Sequence, residues 1–315
     1  MRTQYIDEFL YIIKASNSSE IPGIARYGIL KRLHFIMQLV PHITRLITWH
    51  NQHQHPLIAL HTRDSVLLYH SLYRTYISKK WSIYNKMDVI ESHYKAVNAF
   101  ANFLHVHHNQ YINLFQSESS YGDFRIVVDS LAWMRAEGEV TLSLFYRDIR
   151  LHWLTFSIAT VNNDHVMMIG AIQGWAGVLR DEKESIKKIN LELSKKLHQL
   201  HPRILLLYCL KMIARFITVP EIWGISQEYH RTKVWHKFVM RGQLKGYSSF
   251  WLEHGGLLNN EGFYVISTKK RYKPIEQVPT NKRLLYKKRY QLLDIIEAQL
   301  ANNIREKNYQ ISYHQ

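Results

Sequence analysis

The stretch EVTLSLFYRDIRLHWLTFSIATVNNDHVMMIGAIQG, residues 139–174, decides the fold. Val140, Leu142, Leu144 and Tyr146 alternate with Thr141, Ser143 and Phe145. Beyond Arg147-Asp148, Leu151, Trp153, Thr155 and Ser157 alternate with His152, Leu154, Phe156 and Ile158. A period of two is the signature of a strand, whose successive side chains point to opposite faces. Arg147-Asp148 makes one turn, residues 162–164 (NND) make a second, and HVMMIGAIQG supplies a third strand, so an antiparallel meander is expected. An earlier strand is expected at DFRIVVDSL (123–131) or just after it.

Outward from the meander the period changes to that of helices. Ile186, Ile189, Leu193, Leu197 and Leu200 fall on one helical face. Asp181, Glu182 and Glu184 suit that helix's positive N-terminal end, and Pro202 stops it. RILLLYCLKMIARFITV (203–219) is apolar nearly all round, which predicts a buried helix. EIWGIS (221–226) and GFYVIS (262–267) read as strands. A long final helix follows Thr280, which is placed to cap it, with Tyr286, Leu293, Ile296, Leu300 and Ile304 on its buried side. Residues 1–115 read as helical, with segments over 57–79 and 88–112 and a polar loop at HNQHQHP (50–56). Leu30, Leu33, Met37 and Val40 make an apolar stripe beside Arg26, Lys31, Arg32 and Arg45. Such a helix packs on its own domain or lies on a membrane surface. The expected fold class is therefore α+β: a helical region over 1–115, then an antiparallel sheet with packed helices over 116–315, the two packed as one unit.

Composition narrows the function classes. The 315 residues are 46% hydrophobic, enough for a sizeable core, and carry only 13 Gly and 7 Pro, too few for a turn-rich sandwich or barrel. With 41 Lys+Arg against 25 Asp+Glu the formal charge is +16, which favours anionic partners: an inner-membrane surface, an acidic acyl-carrier protein or RNA. The single cysteine, Cys209, excludes an internal disulfide and any multi-cysteine zinc site, and its apolar surroundings predict an inert thiol. The N-terminus does not read as a secretion signal and no stretch reads as a transmembrane helix, so the expected location is cytoplasmic, peripheral on the inner membrane if bound there.

The common nucleotide-binding, hydrolase and zincin motifs are absent, as is the H-x-x-x-x-[DE] pair of lipid acyltransferases. His105, His107 and His108, and His50, His53 and His55, have no carboxylate close in sequence, so no metal site is assigned. Gln173 and Gly174, with Arg180, sit at a strand-to-helix junction. Acetyltransferases of the GNAT type bind the pyrophosphate of coenzyme A at such a junction, and the element order is compatible with that build. Asp181, Glu182 and Glu184 oppose that use, and a plain helix cap is the other reading. In SQEYHRTKVWHKF (226–238), Glu228 and His230 are candidates for an acid–base pair, provided the backbone there is extended. Arg231 and Lys233 are candidates for holding an anion. If the chain is a transferase, the donor would be acyl-CoA or an acyl-carrier protein.

Between Ser267 and Arg289, nine basic residues, among them Lys282, Arg283, Lys287, Lys288 and Arg289, face one carboxylate, Glu276. Half of the net charge thus sits in one belt, interleaved with Tyr272, Tyr286 and Tyr290, which either contacts phosphates or forms a solvated face.

GEVTLSLFYRDIRLHWLTFSI, IGAIQG, HPRILLLYCLKMIARF, IWGISQEYHRTKVW, FWLEHGG and VPTNKRLLYKKRYQLLD, in this order, resemble the VirK/YbjX family of Gram-negative bacteria, and WSIYNKMDVIESHY (81–94) is similar to its N-terminal part. The resemblance covers about residues 60–300. It implies a link to virulence, to surface presentation of an outer-membrane protein and to resistance against cationic antimicrobial peptides. It implies no reaction and carries over no catalytic residue. Three readings follow: a basic α+β protein acting at the inner face of the envelope, a GNAT-like acyl- or aminoacyl-transferase, and an RNA-binding regulator.

Overall fold

The computed structural model describes residues 2–17, 28–51, 63–107, 110–117, 123–131, 133–175, 180–230, 246–306 and 311–313. Among the described residues five helices come first: α1 (Arg2–Asn17), α2 (Ile29–Leu39), α3 (Ile43–Asn51), α4 (Arg63–Tyr73) and α5 (Ile83–Phe100). Strands β1 (Gln110–Gln116), β2 (Phe124–Asp129), β3 (Val140–Tyr146), β4 (Ile149–Val161) and β5 (Asp164–Gly174) follow. Then come α6 (Arg180–Lys196), α7 (Pro202–Phe216), β6 (Glu221–Ile225), α8 (Tyr247–Glu253), β7 (Leu257–Leu258), β8 (Phe263–Ser267), α9 (Arg283–Arg305) and β9 (Ile311–Tyr313). The class is α+β: N-terminal helices, then one mostly antiparallel sheet in the order β7-β8-β6-β5-β4-β3-β2-β1-β9. Among the described residues its one parallel pair is β5 with β6.

The meander lies where the alternation predicts it, with Arg147, Asp148, Asn162 and Asn163 at positive φ in the two turns. Its polar face is buried as well. Every residue of β3 is buried, so both faces of the sheet are covered there. α5 and α7 both pack on β4. Thr141 and Ser143 stay buried because their hydroxyls find partners, Thr155 at 3.2 Å and Asp129 at 3.3 Å.

Several boundaries move. α5 ends at Phe100, and the sheet begins at Gln110, inside the span expected to be helical to 112. Pro202 opens α7 rather than closing α6, because its fixed φ suits a first helical turn and His201 caps it by accepting from Arg203 N at 3.2 Å. Thr280 is not the cap of α9. It begins a 3-10 turn, and Lys282 precedes the helix with no side-chain cap bond. Of the stripe on α2, Leu30 and Met37 are 82% and 72% exposed, whereas Phe35 and Leu39 point into the core. The face that packs inward is thus set by α1 and α4, which contact α2, and not by the most regular apolar spacing.

Candidate functional site

β5 and β6 pair from Val166↔Glu221 to Ile169↔Gly224 and no further. Gly170 marks the reason. On its other edge β5 pairs Ala171 with Thr155 and Ile169 with Phe156, so Gly170 is an extra residue, a bulge. A bulge bends its strand and sharpens the local twist. A β-carbon at 170 would lie 2.0 Å from the carbonyl oxygen of Glu137, so only glycine lets the 3-10 turn Arg135–Glu137 approach so closely. Beyond the bulge, residues 170–174 carry a backbone edge that β6 does not cover.

That gap is lined by polar groups from distant parts of the chain. Ile172 N donates to the Tyr247 hydroxyl on α8 at 3.0 Å. Gln173 Nε2 donates to Glu137 Oε1 at 3.2 Å. Glu137 and Tyr247 are buried, at 6% and 2% exposure. Burial, and then the charge of Glu137, push the Tyr247 phenol well above the ordinary tyrosine value, so it stays protonated. Its oxygen accepts from Ile172, which leaves its own proton to donate. The ring of His230 lies 5.2 Å from that of Tyr247. Gly174, the last residue of β5, packs against the imidazole of His152, where a β-carbon would meet ring atoms at 2.6 Å. His152 is buried and pulled down to about 4, first by burial, although its bond to Asn190 opposes the shift.

Among the residues singled out from sequence, Gln173 and His230 meet this gap through Glu137 and Tyr247, and Gly174 ends the strand beside it against His152. Glu228 does not pair with His230 as an extended backbone would allow. Residues 227–229 form a turn that leaves Glu228 exposed while His230 is wholly buried. The turn is tight because Tyr229 N and His230 N both donate to Ser226 O. It is pinned outside by Lys79 N donating to Tyr229 O and by a bridge between Ser78 and His230. Arg180 is the first residue of α6, but its side chain lies outside the described residues, as do Arg231 and Lys233. Glu137 and Tyr247 were not legible as site residues. They stand 36 residues before Gln173 and 74 after it, in segments with no motif.

The basic belt divides. Arg283 donates to Val278 O at 3.1 Å and Glu276 O at 3.2 Å, and Arg289 donates to His198 O at 3.0 Å, so both tie backbone together. Lys282, Lys287 and Lys288 are exposed. Among the described residues no three His, Cys, Asp or Glu side chains stand close enough to hold a metal, and no helix is long and apolar enough to cross a membrane.

Under this site lies a buried polar cluster. Glu139 accepts from Tyr76 at 3.0 Å, from Tyr94 at 2.9 Å and from Arg135, and the Arg135 and Glu139 side chains are 5% and 1% exposed. Arg135 and Glu139 bracket Glu137, so this ion pair fixes the turn that presses on the bulge.

Comparison with known proteins gives a family and no reaction. The chain is 26% identical over 272 residues to the "Uncharacterized protein YbjX" of Escherichia coli K12, covering 82% of this chain and 79% of that one. It is 25% identical over 201 residues to an "Uncharacterized protein" of Haemophilus influenzae, covering 62% of each. No solved structure matches. Residues 26–302 match the family described as "Protein of unknown function (DUF535)", which covers most of the chain, and the chain therefore belongs to that family, the one its VirK/YbjX-like segments point to.

Proposed function

We propose that the chain is an acyl- or aminoacyl-transferase of GNAT-like build that takes its acyl group from a thioester. The observation that carries this reading is the parting of β5 and β6 at the Gly170 bulge, beyond which Tyr247, bonded to Ile172 N, and Glu137, bonded to Gln173, stand side by side along β5 in place of a strand partner. Sites in sheet proteins collect where strands diverge at their carboxyl ends. Glu137 serves as base and Tyr247 as acid. The acceptor's amine or hydroxyl gives its proton to Glu137 and attacks the thioester carbonyl. The carbon–sulfur bond breaks, and the departing thiolate takes the Tyr247 proton. Gln173 holds the Glu137 carboxylate in place. His230 supports the Tyr247 ring, a positioning role in place of the acid–base role first assigned with Glu228. An acidic acyl-carrier protein suits the +16 charge better than free acyl-CoA does.

The envelope role that the resemblance implies is compatible with such chemistry on a surface component. Its support is the exposed apolar group Ile29, Leu30, Leu33 and Met37 on α2, next to Lys31 and Arg32, which suits attachment to the cytoplasmic face of the inner membrane.

The test incubates the purified chain with acetyl-CoA, palmitoyl-CoA or palmitoyl-loaded acyl-carrier protein, each with a primary amine and an alcohol as acceptors, and follows free thiol above the rate without protein. Tyr247→Phe and Glu137→Gln should each lower thiol release by about 10²–10⁴-fold while the fold persists. Cys209 will not interfere, since it is fully buried and burial holds its thiol far above the ordinary value. No thiol release from any of the three donors, or full release by Tyr247→Phe, overturns the proposal.

A further inference from the structure

At the other end of β6 a second site is built from cations. Ser267 pairs with Glu221 at the start of that strand, so the chain leaving β8 lies far along the strand from the parted ends. There a cleft of about 320 Å³ opens between α7, the end of α8 and residues 267–271. Lys211, Arg215, Lys269, Lys270 and Arg271 line it, with Glu253 and His254 on the α8 wall. Two of these cations are neutralised: Arg215 pairs with Glu297 at 2.5 Å, and Lys270 with Asp294 and Glu297 at 2.8 and 2.6 Å. Lys211, Lys269 and Arg271 have no ion pair among the described residues, and Glu253 is the one carboxylate on the lining.

The cations are held in place before any ligand arrives. Tyr208, Tyr272 and Tyr290 stack in a row, with ring planes 8° and 10° apart, and the Tyr208 and Tyr272 hydroxyls meet at 2.5 Å. Tyr272 also donates to Asp294 at 3.0 Å. The segment carrying Lys269 to Arg271 is thereby fastened to α7 and α9. Burial, and then the nearby Arg215 and Arg271, pull Lys211 below the ordinary lysine value, as expected where positive charge is in excess. A wider cleft beside α3, of about 520 Å³, contrasts with this one: its Arg45 is paired with Asp88, and its Glu91 with Lys95.

We infer that the cleft bounded by Lys211, Lys269 and Arg271 binds a phosphate or diphosphate group, borne either by a soluble molecule or by a lipid headgroup. Three cations with no ion pair among the described residues, converging from a helix and a fastened segment, give the charge and the spread of donors that phosphate oxygens require. On the α8 wall His254 Nδ1 donates to Phe250 O at 2.7 Å, which leaves Nε2 for a ligand. The site does not depend on the acyl-transfer reading, and its test reads binding alone.

Inorganic pyrophosphate is titrated into the full chain by calorimetry. In parallel the chain is sedimented with vesicles of phosphatidylcholine alone or with one-fifth phosphatidic acid. Lys269 and Arg271 are exposed, so Lys269→Gln with Arg271→Gln keeps the fold and should weaken binding at least tenfold. Glu253→Gln removes the opposing charge and should tighten it. Lys287→Gln with Lys288→Gln, on the exposed face of α9, should change it less than twofold. Pyrophosphate binding with this pattern identifies a soluble phosphate ligand. The same pattern with phosphatidic acid vesicles and no pyrophosphate binding identifies a lipid headgroup. Binding to neither, or equal weakening by the cleft pair and the α9 pair, overturns the inference.

Discussion

Lowering the pH from 7.5 to 5 should remove much of this protein's stability, because three buried histidines cannot accept a proton in the folded state. His93 is 1% exposed, and its Nδ1 accepts from Ile158 N at 3.1 Å, so a proton there would face a donor. Burial, then Arg135 and His105, pull it down to about 3. His70 is pulled down to about 4, first by burial, although its contact with Ala15 O at 3.1 Å opposes the shift. His152 is likewise near 4. In the unfolded chain each titrates near 6.5. The folded values lie below the unfolded one, so this stability is whole above pH 6.5 and is lost as pH falls towards 4. At pH 5 each histidine costs about 2 kcal/mol and the three together about 6 kcal/mol, a large part of a typical folding free energy of about 5–15 kcal/mol. Urea denaturation at pH 7.5, 6.5, 5.5 and 5 should give a slope approaching three protons bound on unfolding. His93→Asn keeps an acceptor for Ile158 N and should lower the slope by about one proton, whatever it does to the stability itself. Carboxylates act lower: Glu297, held down by Lys270 and Arg215 against the upward effect of burial, loses its contribution only below about 4.5. A stability that changes by less than about 1 kcal/mol between pH 7.5 and 5 refutes the reasoning, as does a His93→Asn variant with an unchanged slope.

Glu139→Leu should cost about 3–5 kcal/mol in thermal or urea melts, because it strands the Arg135 guanidinium beneath the candidate site, and Arg135→Met added to it should recover part of the loss. On α9, Arg289→Gln should cost about 1 kcal/mol through the lost bonds to His198 O, whose residue sits at positive φ, whereas Lys287→Gln and Lys288→Gln should each stay within about 0.5 kcal/mol. A comparison of the three melting temperatures separates a structural arginine from solvated lysines.

The α+β class, the meander, the pair of helices after it and the final helix follow from local signals. Period two in Val140–Tyr146 and period 3.6 in Ile186–Leu200 each report which faces the chain must bury, and a neighbouring residue suffices to read them. The family resemblance is local in the same sense, since it rests on ordered segments. Other features depended on contacts between distant residues. Whether Thr141 and Ser143 face water or core depended on what covers the second face of β3, where Met134 meets Thr141 and Asp129 and Arg150 meet Ser143. Which stripe of α2 turned inward depended on α1 and α4. Gly170 reads in sequence as one glycine in an apolar run. It becomes a bulge only because Glu137 presses on it and Thr155 and Phe156 pair around it. The candidate site was half legible for this reason: Gln173, Gly174 and His230 belong to recognisable strand ends, but Glu137 and Tyr247 reach them only through tertiary packing. Spacing in the sequence cannot report a meeting of groups 36 and 74 residues from Gln173, because the free energy that joins them is that of burying the surfaces between.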